Sequence, residues 1–178
     1  MKMLRSCKGS IAAEHMAALV VLILGLLFPL CNIATSAYRY AIVLQAIHNG
    51  AFAGSVANSF SVGSDPNNND IMDVVPKTIN NFVAANTGVH NAVVKVRLLE
   101  TDINTGLVTP LGYGQKLTAP TQPKQNCIYS VECTLTCDID PLVTFSNGFI
   151  PPVPGMSSSY HATMTTRQLL ENPGGMIK

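Results

Sequence analysis

The stretch G-S-I-A-A-E-H-M-A-A-L-V-V-L-I-L-G-L-L-F-P-L, residues 9–30, decides how this chain is read, because it sets one carboxylate, Glu14, at the mouth of an uncharged apolar run. From His15 to Tyr38 there are 24 residues without a Lys, Arg, Asp or Glu. As a helix rising about 1.5 Å per residue, a segment of that length crosses the roughly 30 Å hydrocarbon layer of a membrane. A charge at the centre of such a helix costs about 2.5 to 3.5 kcal/mol on insertion scales, so an acid at its entrance calls for a partner. Lys2, Arg5 and Lys8 precede the run and no matching cluster follows it. That asymmetry places the N-terminus in the cytoplasm and everything after Arg39 on the far side of the membrane.

A chain of 178 residues accommodates one membrane anchor and one small domain. From Ser10 onward it carries eight Lys/Arg against ten Asp/Glu, a near-neutral balance that excludes a nucleic-acid surface. His15, His48, His90 and His161 sit in four separate segments and fall in no metal-ligand pattern. No P-loop, G-x-S-x-G or dinucleotide fingerprint occurs, so the residues offer no enzyme site, no cofactor and no metal centre. Asp138 and Asp140 bracket a strand end before Pro141, where a solvated turn accounts for them. Asp65-x-Asn67-x-Asn69 begins like a calcium loop, but Asp70 stands where that loop needs Gly and Pro76 where it needs Glu.

Of the five cysteines, Cys127, Cys133 and Cys137 lie in the exported part, where an oxidising compartment permits a disulfide among them. On one strand Cys133 and Cys137 stand about 13 Å apart, beyond the roughly 7 Å that a bridge spans between Cα atoms. A bond therefore requires a bend near Asn126 that brings Cys127 round, or a partner on another chain; the alternative is three buried thiols on a core face.

The helical pattern continues past the membrane surface. Ile33, Ala37, Ala41, Leu44, Ile47 and Ala51 recur at three- and four-residue intervals, with Arg39, Gln45 and Asn49 elsewhere around the helix. One long helix is expected from about Ser10 to Phe60, kinked at Pro29 and weakened near its end by Gly50 and Gly54. Ala34, Ser36, Ala37 and Ala41 are small enough to let another helix approach.

Turn residues fill 61–70, and a second helix is expected over Pro76–Asn86, with Pro76 in its first turn and Gly88 as its cap. The period then changes to two. Residues 92–100 and L-V-T-P-L at 107–111 predict a hairpin, 128–140 predicts the clearest strand, and 157–167 predicts a last one. In the clearest strand Val131, Cys133, Leu135, Cys137 and Ile139 face in, and Ser130, Glu132, Thr134, Thr136 and Asp138 face out. The expected fold is α+β: a long N-terminal transmembrane helix, then a small exported domain with an antiparallel sheet packed on helices. Its parts are a leader over 1–9, the helix over 10–60 with the span at about 15–38, and the exported domain over 61–178.

Gly9-Ser10-Ile11-Ala12-Ala13-Glu14 after a short basic leader resembles the prepilin peptidase site of type IV pilins and pseudopilins. The resemblance implies a cut after Gly9, a mature chain beginning at Ser10, and Glu14 as an assembly contact that meets the N-terminal amine of a neighbouring subunit. A-A-E before the apolar run, the continuing Y-R-Y-A-I-V-L-Q-A-I-H-N-G-A-F-A-G, and the late D-P-L-V-T-F and S-Y-H-A-T-M-T-T-R are similar to TadE/TadG-like minor pilins of tight-adherence (Flp-type) pili. The likeness is best over the first 60 residues. His15 departs from it, standing where relatives have an aromatic residue, and the chain is longer than a Flp major pilin.

The resemblance implies a single-pass inner-membrane protein with a periplasmic C-terminal domain, bound by membrane lipid and trimmed by a prepilin peptidase. Its implied partners are other pilins or pseudopilins and the inner-membrane assembly platform of a pilus. Two alternatives remain beside it. A small-residue site at Thr35-Ser36-Ala37 would release a secreted periplasmic binding module beginning at Tyr38, although the apolar run exceeds the usual signal core. A type II secretion pseudopilin or a major pilin subunit would keep the same class.

Overall fold

The computed structural model describes residues 8–60, 69–113, 116–117, 124–144, 153–171 and 173. Most of the expected leader, the turn at 61–68, most of the linker near 119–126, the Pro/Gly connection at 145–152 and most of the C-terminal tail lie outside the described residues.

The N-terminal helix is α1 (Lys8–Leu22), a π-helical turn (Ile23–Leu27), and α2 (Phe28–Ser55). The π-turn is the local answer to Pro29. Proline has no N–H to give to Gly25, four residues back, and its ring crowds that carbonyl. The helix widens by one residue just before it, and the Phe28 N–H bonds to the Ile23 carbonyl, five residues back. The helix is thus interrupted by a π-helical turn just upstream of Pro29. The described helix from Glu14 to Ser55 is long and apolar enough to cross a membrane.

α2 ends at Ser55 rather than near Phe60. Ser55 Oγ donates to the Phe52 carbonyl at 2.8 Å, and the chain then pairs with the approach to the next helix, Asn58 N–H to Asn69 O at 3.0 Å and Ile71 N–H to Ser59 O at 2.8 Å. Gly50 and Gly54 do more than weaken the last turns. A Cβ on Gly50 would collide with the Ile79 side chain, and one on Gly54 would lie 2.7 Å from Val75 Cγ2. Their bareness lets α3 lie directly against α2.

α3 spans Ile71–Ala84, so Pro76 is in its interior and not in its first turn. The helix starts early because Ile71, Val75, Ile79 and Val83 form one buried row at four-residue spacing, and burial of Ile71 outweighs the bond lost at Pro76. Ala85, not Gly88, is its C-cap. Gly88, with φ +84°, serves the turn into the sheet instead.

Five antiparallel strands follow: β1 (Val89–Asp102), β2 (Val108–Tyr113), β3 (Lys116–Leu117), β4 (Cys127–Ile139) and β5 (Tyr160–Leu169), in the order β3-β2-β1-β4-β5. The expected hairpin is β1–β2, with Arg97 opposite Tyr113 and Thr101 opposite Val108. The central strand β4 pairs β1 on one side and β5 on the other, Cys133 lying opposite Val96 and Thr166. Its inward residues Val131, Cys133, Leu135, Cys137 and Ile139 are all fully buried, as the alternation predicts. They meet Val43, Ala46 and Ile47 of α2 and the buried row of α3 in one core. The chain is thus α+β, with one face of the sheet on the two helices. On the other face Thr134, Thr136 and Asp138 are half-exposed, but Ser130 and Glu132, expected to face out, are buried, Glu132 under the Arg97 and Arg167 side chains.

Candidate functional site

Gly9, Ser10 and Glu14 lie in α1. Glu14 is exposed, and so are the large apolar side chains after it, among them Leu19, Val21, Leu24, Leu26 and Leu30. Every described side chain from Glu14 to Leu27 is exposed, and Phe28 and Pro29 are half-exposed. The domain begins at Asn32, inside the expected span of about 15–38. Asn32 is fully buried and uses its whole amide: Nδ2 donates to Met156 O at 2.6 Å and Val143 O at 3.2 Å, and Oδ1 accepts from the Val143 N–H at 3.1 Å. One turn on, Ser36 Oγ donates to Gly155 O at 2.8 Å. A further turn on, the Arg39 guanidinium donates to Asp140 O at 2.7 Å and Pro141 O at 2.9 Å. Gly88 makes room for it, since a Cβ there would collide with the guanidinium.

Asn32, Ser36 and Arg39 therefore form a polar ladder that bolts the helix to the turns after β4 and before β5. The sequence reading missed this ladder and set Arg39 aside as a polar residue on another face. Its signal was available: polar residues at spacings of four and three inside an apolar run mark one helical face with partners. The apolar stripe needs correction as well. Ile47 and Ala51 are buried, but Ile33, Ala37, Ala41 and Leu44 face outward, beside Tyr40 and Phe52. A helix that is apolar almost all round has two such faces, and periodicity alone does not choose between them. Ser36 turns inward, while Ala34 and Ala37 lie on the open side.

Cys127, Cys133 and Cys137 form no bridge with one another. Cys127, Cys133 and Cys137 are free thiols on the single strand β4, whose straight course keeps them apart. Burial raises the pKa of all three, Cys133 to about 12 and aided there by the neighbouring Glu132 carboxylate. Cys133 and Cys137 are buried core thiols of the kind the sequence offered as the alternative to a bridge, whereas Cys127 is only half-buried.

Two of the scattered histidines meet at the sheet end beside Arg39. His161 Nδ1 and Asp138 Oδ1 are 2.8 Å apart, and Asn91 Nδ2 donates to the other Asp138 oxygen at 2.8 Å. These bonds, Asn91 first and His161 second, hold the Asp138 carboxyl below its usual range. His90 Nε2 lies 2.8 Å from Asp140 Oδ2, and Ser159 Oγ donates to Asp140 Oδ1 at 2.6 Å. The turn aspartates thus tie β1, β4 and β5 together. Among the described residues no group of three His, Cys, Asp or Glu side chains is arranged to hold a metal ion.

On the outer face of the sheet, Arg167 Nε donates to Glu132 at 2.7 Å, with the Arg97 guanidinium 3.9 Å from the same carboxylate. At the far end, Glu100 accepts from Lys124 Nζ at 2.6 Å and Tyr129 OH at 2.9 Å. The lysine bond is the main reason its carboxyl titrates below the usual range. These pairs and ladders are structural ties, and the open features of the molecule are the bare apolar helix and the outward face that continues it. Comparison with protein families, with curated proteins and with solved structures finds no match to this chain.

Proposed function

We propose that this chain is a membrane-anchored minor pilin or pseudopilin, cut by a prepilin peptidase after Gly9 and taking part in assembly of a tight-adherence type IV pilus. The observation that carries this reading is one helix with two unlike halves. Its first half is bare and apolar, and its second is the spine of an antiparallel sheet. A soluble domain leaves no such apolar surface to water, so the first half needs a bilayer before assembly and neighbouring helices after it. The outward row Ile33, Ala37, Ala41 and Leu44 extends that packing surface along the domain.

In this reading the chain waits in the bacterial inner membrane with its N-terminus cytoplasmic and its domain periplasmic. Cleavage gives Ser10 an ammonium group, and Glu14 pairs with the corresponding group of a neighbouring subunit, neutralising a charge that a packed apolar bundle penalises. The role is structural, with no catalytic step. The secreted-module alternative is disfavoured by the ladder: a cut at Ala37 would discard Asn32 and Ser36, leaving the Val143, Gly155 and Met156 backbone groups without their bonds.

N-terminal sequencing of the protein recovered from membranes tests the reading. Ser10 as first residue supports it, Tyr38 points to the secreted module, and an intact Met1 overturns the pilin mechanism. Glu14→Leu is expected to leave cleavage intact and to abolish or sharply reduce assembly with partner subunits; normal pilus output from that variant removes the charge pairing.

A further inference from the structure

The polar ladder also fixes how deep the exported domain sits. This depth rests on the helix spanning a membrane, as proposed above. Glu14 to Asn32 is 18 residues and Glu14 to Ser36 is 22, or about 27 and 33 Å of helix. A hydrocarbon layer of about 30 Å that begins at Glu14 therefore ends between Asn32 and Ser36. Helix tilt moves that boundary further along the chain, not back. Yet this is the level at which Asn32 and Ser36 hold Val143, Gly155 and Met156 against the helix.

The side chains around those bonds suit that depth. Leu142, Val143 and Val153 are exposed, at 55%, 41% and 42%, and the exposed Ile33 of the helix shares a crevice with Val153. Residues 141–156 contain no Asp, Glu, Lys, Arg or His. An uncharged crevice of about 440 Å³, lined by Ile33, Ala37, Val153, Pro154, Met156 and Tyr160 among others, opens between the helix and the turn before β5. Among the described residues, charged side chains and histidines first appear in the next tier, where Arg39, Asp138, Asp140, His90 and His161 are bonded to one another or to backbone. Apolar groups below and polar groups above match the order of acyl chains and headgroups.

We infer that the turns at Leu142–Val143 and Val153–Met156 form an apolar collar seated in the phospholipid of the exported-side leaflet. The collar makes the domain a monotopic partner of its own anchor. It sets the sheet upright on the bilayer and shields Leu142, Val143 and Val153 from water until the subunit leaves the membrane.

The chain contains no tryptophan, so a single introduced indole reports its own depth. Full-length Leu142→Trp and Val153→Trp are reconstituted in phosphatidylcholine/phosphatidylglycerol vesicles, beside Leu24→Trp in the bare helix and Ile103→Trp at the opposite end of the sheet. With lipids brominated near the headgroup, Leu142→Trp and Val153→Trp are expected to emit blue-shifted and to lose most of their intensity. Leu24→Trp is expected to be quenched best by lipids brominated far down the chain, and Ile103→Trp to be unquenched. Quenching at Leu24→Trp with water-like, unquenched emission at both collar positions overturns the collar and leaves the span standing. Absence of quenching at all four positions removes the membrane-spanning reading and the collar with it. Quenching at Ile103→Trp equal to that at Leu142→Trp also overturns the collar, because the whole domain would then lie on the surface.

Discussion

Removal of the Asn32 amide is the most direct perturbation of the joint between helix and domain. Asn32 makes three hydrogen bonds at 2.6, 3.1 and 3.2 Å and is fully buried. Such bonds contribute about 0.5–1.5 kcal/mol net each, and a buried group left unpaired costs about 1–3 kcal/mol. Asn32→Ala deletes all three bonds and strands one N–H and two carbonyls, so a loss of about 2–4 kcal/mol is expected. Asn32→Asp keeps the shape and the acceptor for Val143 but turns an oxygen toward the Val143 and Met156 carbonyls, and is expected to cost at least as much. The damage should be local, because the sheet and core make no use of Asn32. Hydrogen exchange of the full chain in micelles reads it directly. At tenfold per 1.4 kcal/mol, the Val143, Met156 and Ser157 amides should exchange about 30 to 700 times faster in Asn32→Ala, with β4 unchanged. Ser36→Ala, which holds the same turn, should add less on top of Asn32→Ala than it costs alone. A change below about threefold at these amides, when even one net bond is worth about 1 kcal/mol, would refute the ladder as the joint.

Gly50→Val places two methyl groups where Ile79 lies and is expected to destabilise the fold by about 1–3 kcal/mol through overpacking, read as a lower melting temperature. The depressed Glu100 carboxyl contributes stability that is fully present above its ordinary value of 4.5 and is lost as pH falls through its lower folded value. The melting gap between the wild type and Glu100→Gln should accordingly be widest at neutral pH and close on acidification, and be smaller in high salt because Lys124 is exposed; a pH-independent gap contradicts this. With its pKa pushed up to about 12 and its side chain buried, Cys133 should resist maleimide at pH 8 in the native protein and react on unfolding, as mass spectrometry of its peptide would show. Labelling of native Cys133 at the rate of an open thiol would count against the packed core.

The long helix and the strand β4 were legible from sequence because their signals are local and one-dimensional. Twenty-four uncharged residues set a length, and alternation from Val131 to Ile139 sets a face, without reference to the rest of the chain. Pro29 announced a disturbance, though its form as a π-turn depends on which bond Phe28 adopts in its place. Pro76 misled, because propensity placed it at a helix start while packing of Ile71 drew the start back. What sequence alone determined is therefore an apolar helix of membrane length feeding a sheet with one buried face. Tertiary structure alone decided which side of α2 is inside, since Gly50 and Gly54 matter only once Ile79 and Val75 are opposite them. It also decided the partners of Asn32, Ser36, Arg39 and the paired histidines. Those partners lie 23 to 124 residues away along the chain, the helix-to-turn bonds more than 100. A hydrogen bond depends on distance in space, and a helical or strand period records only distance along the chain.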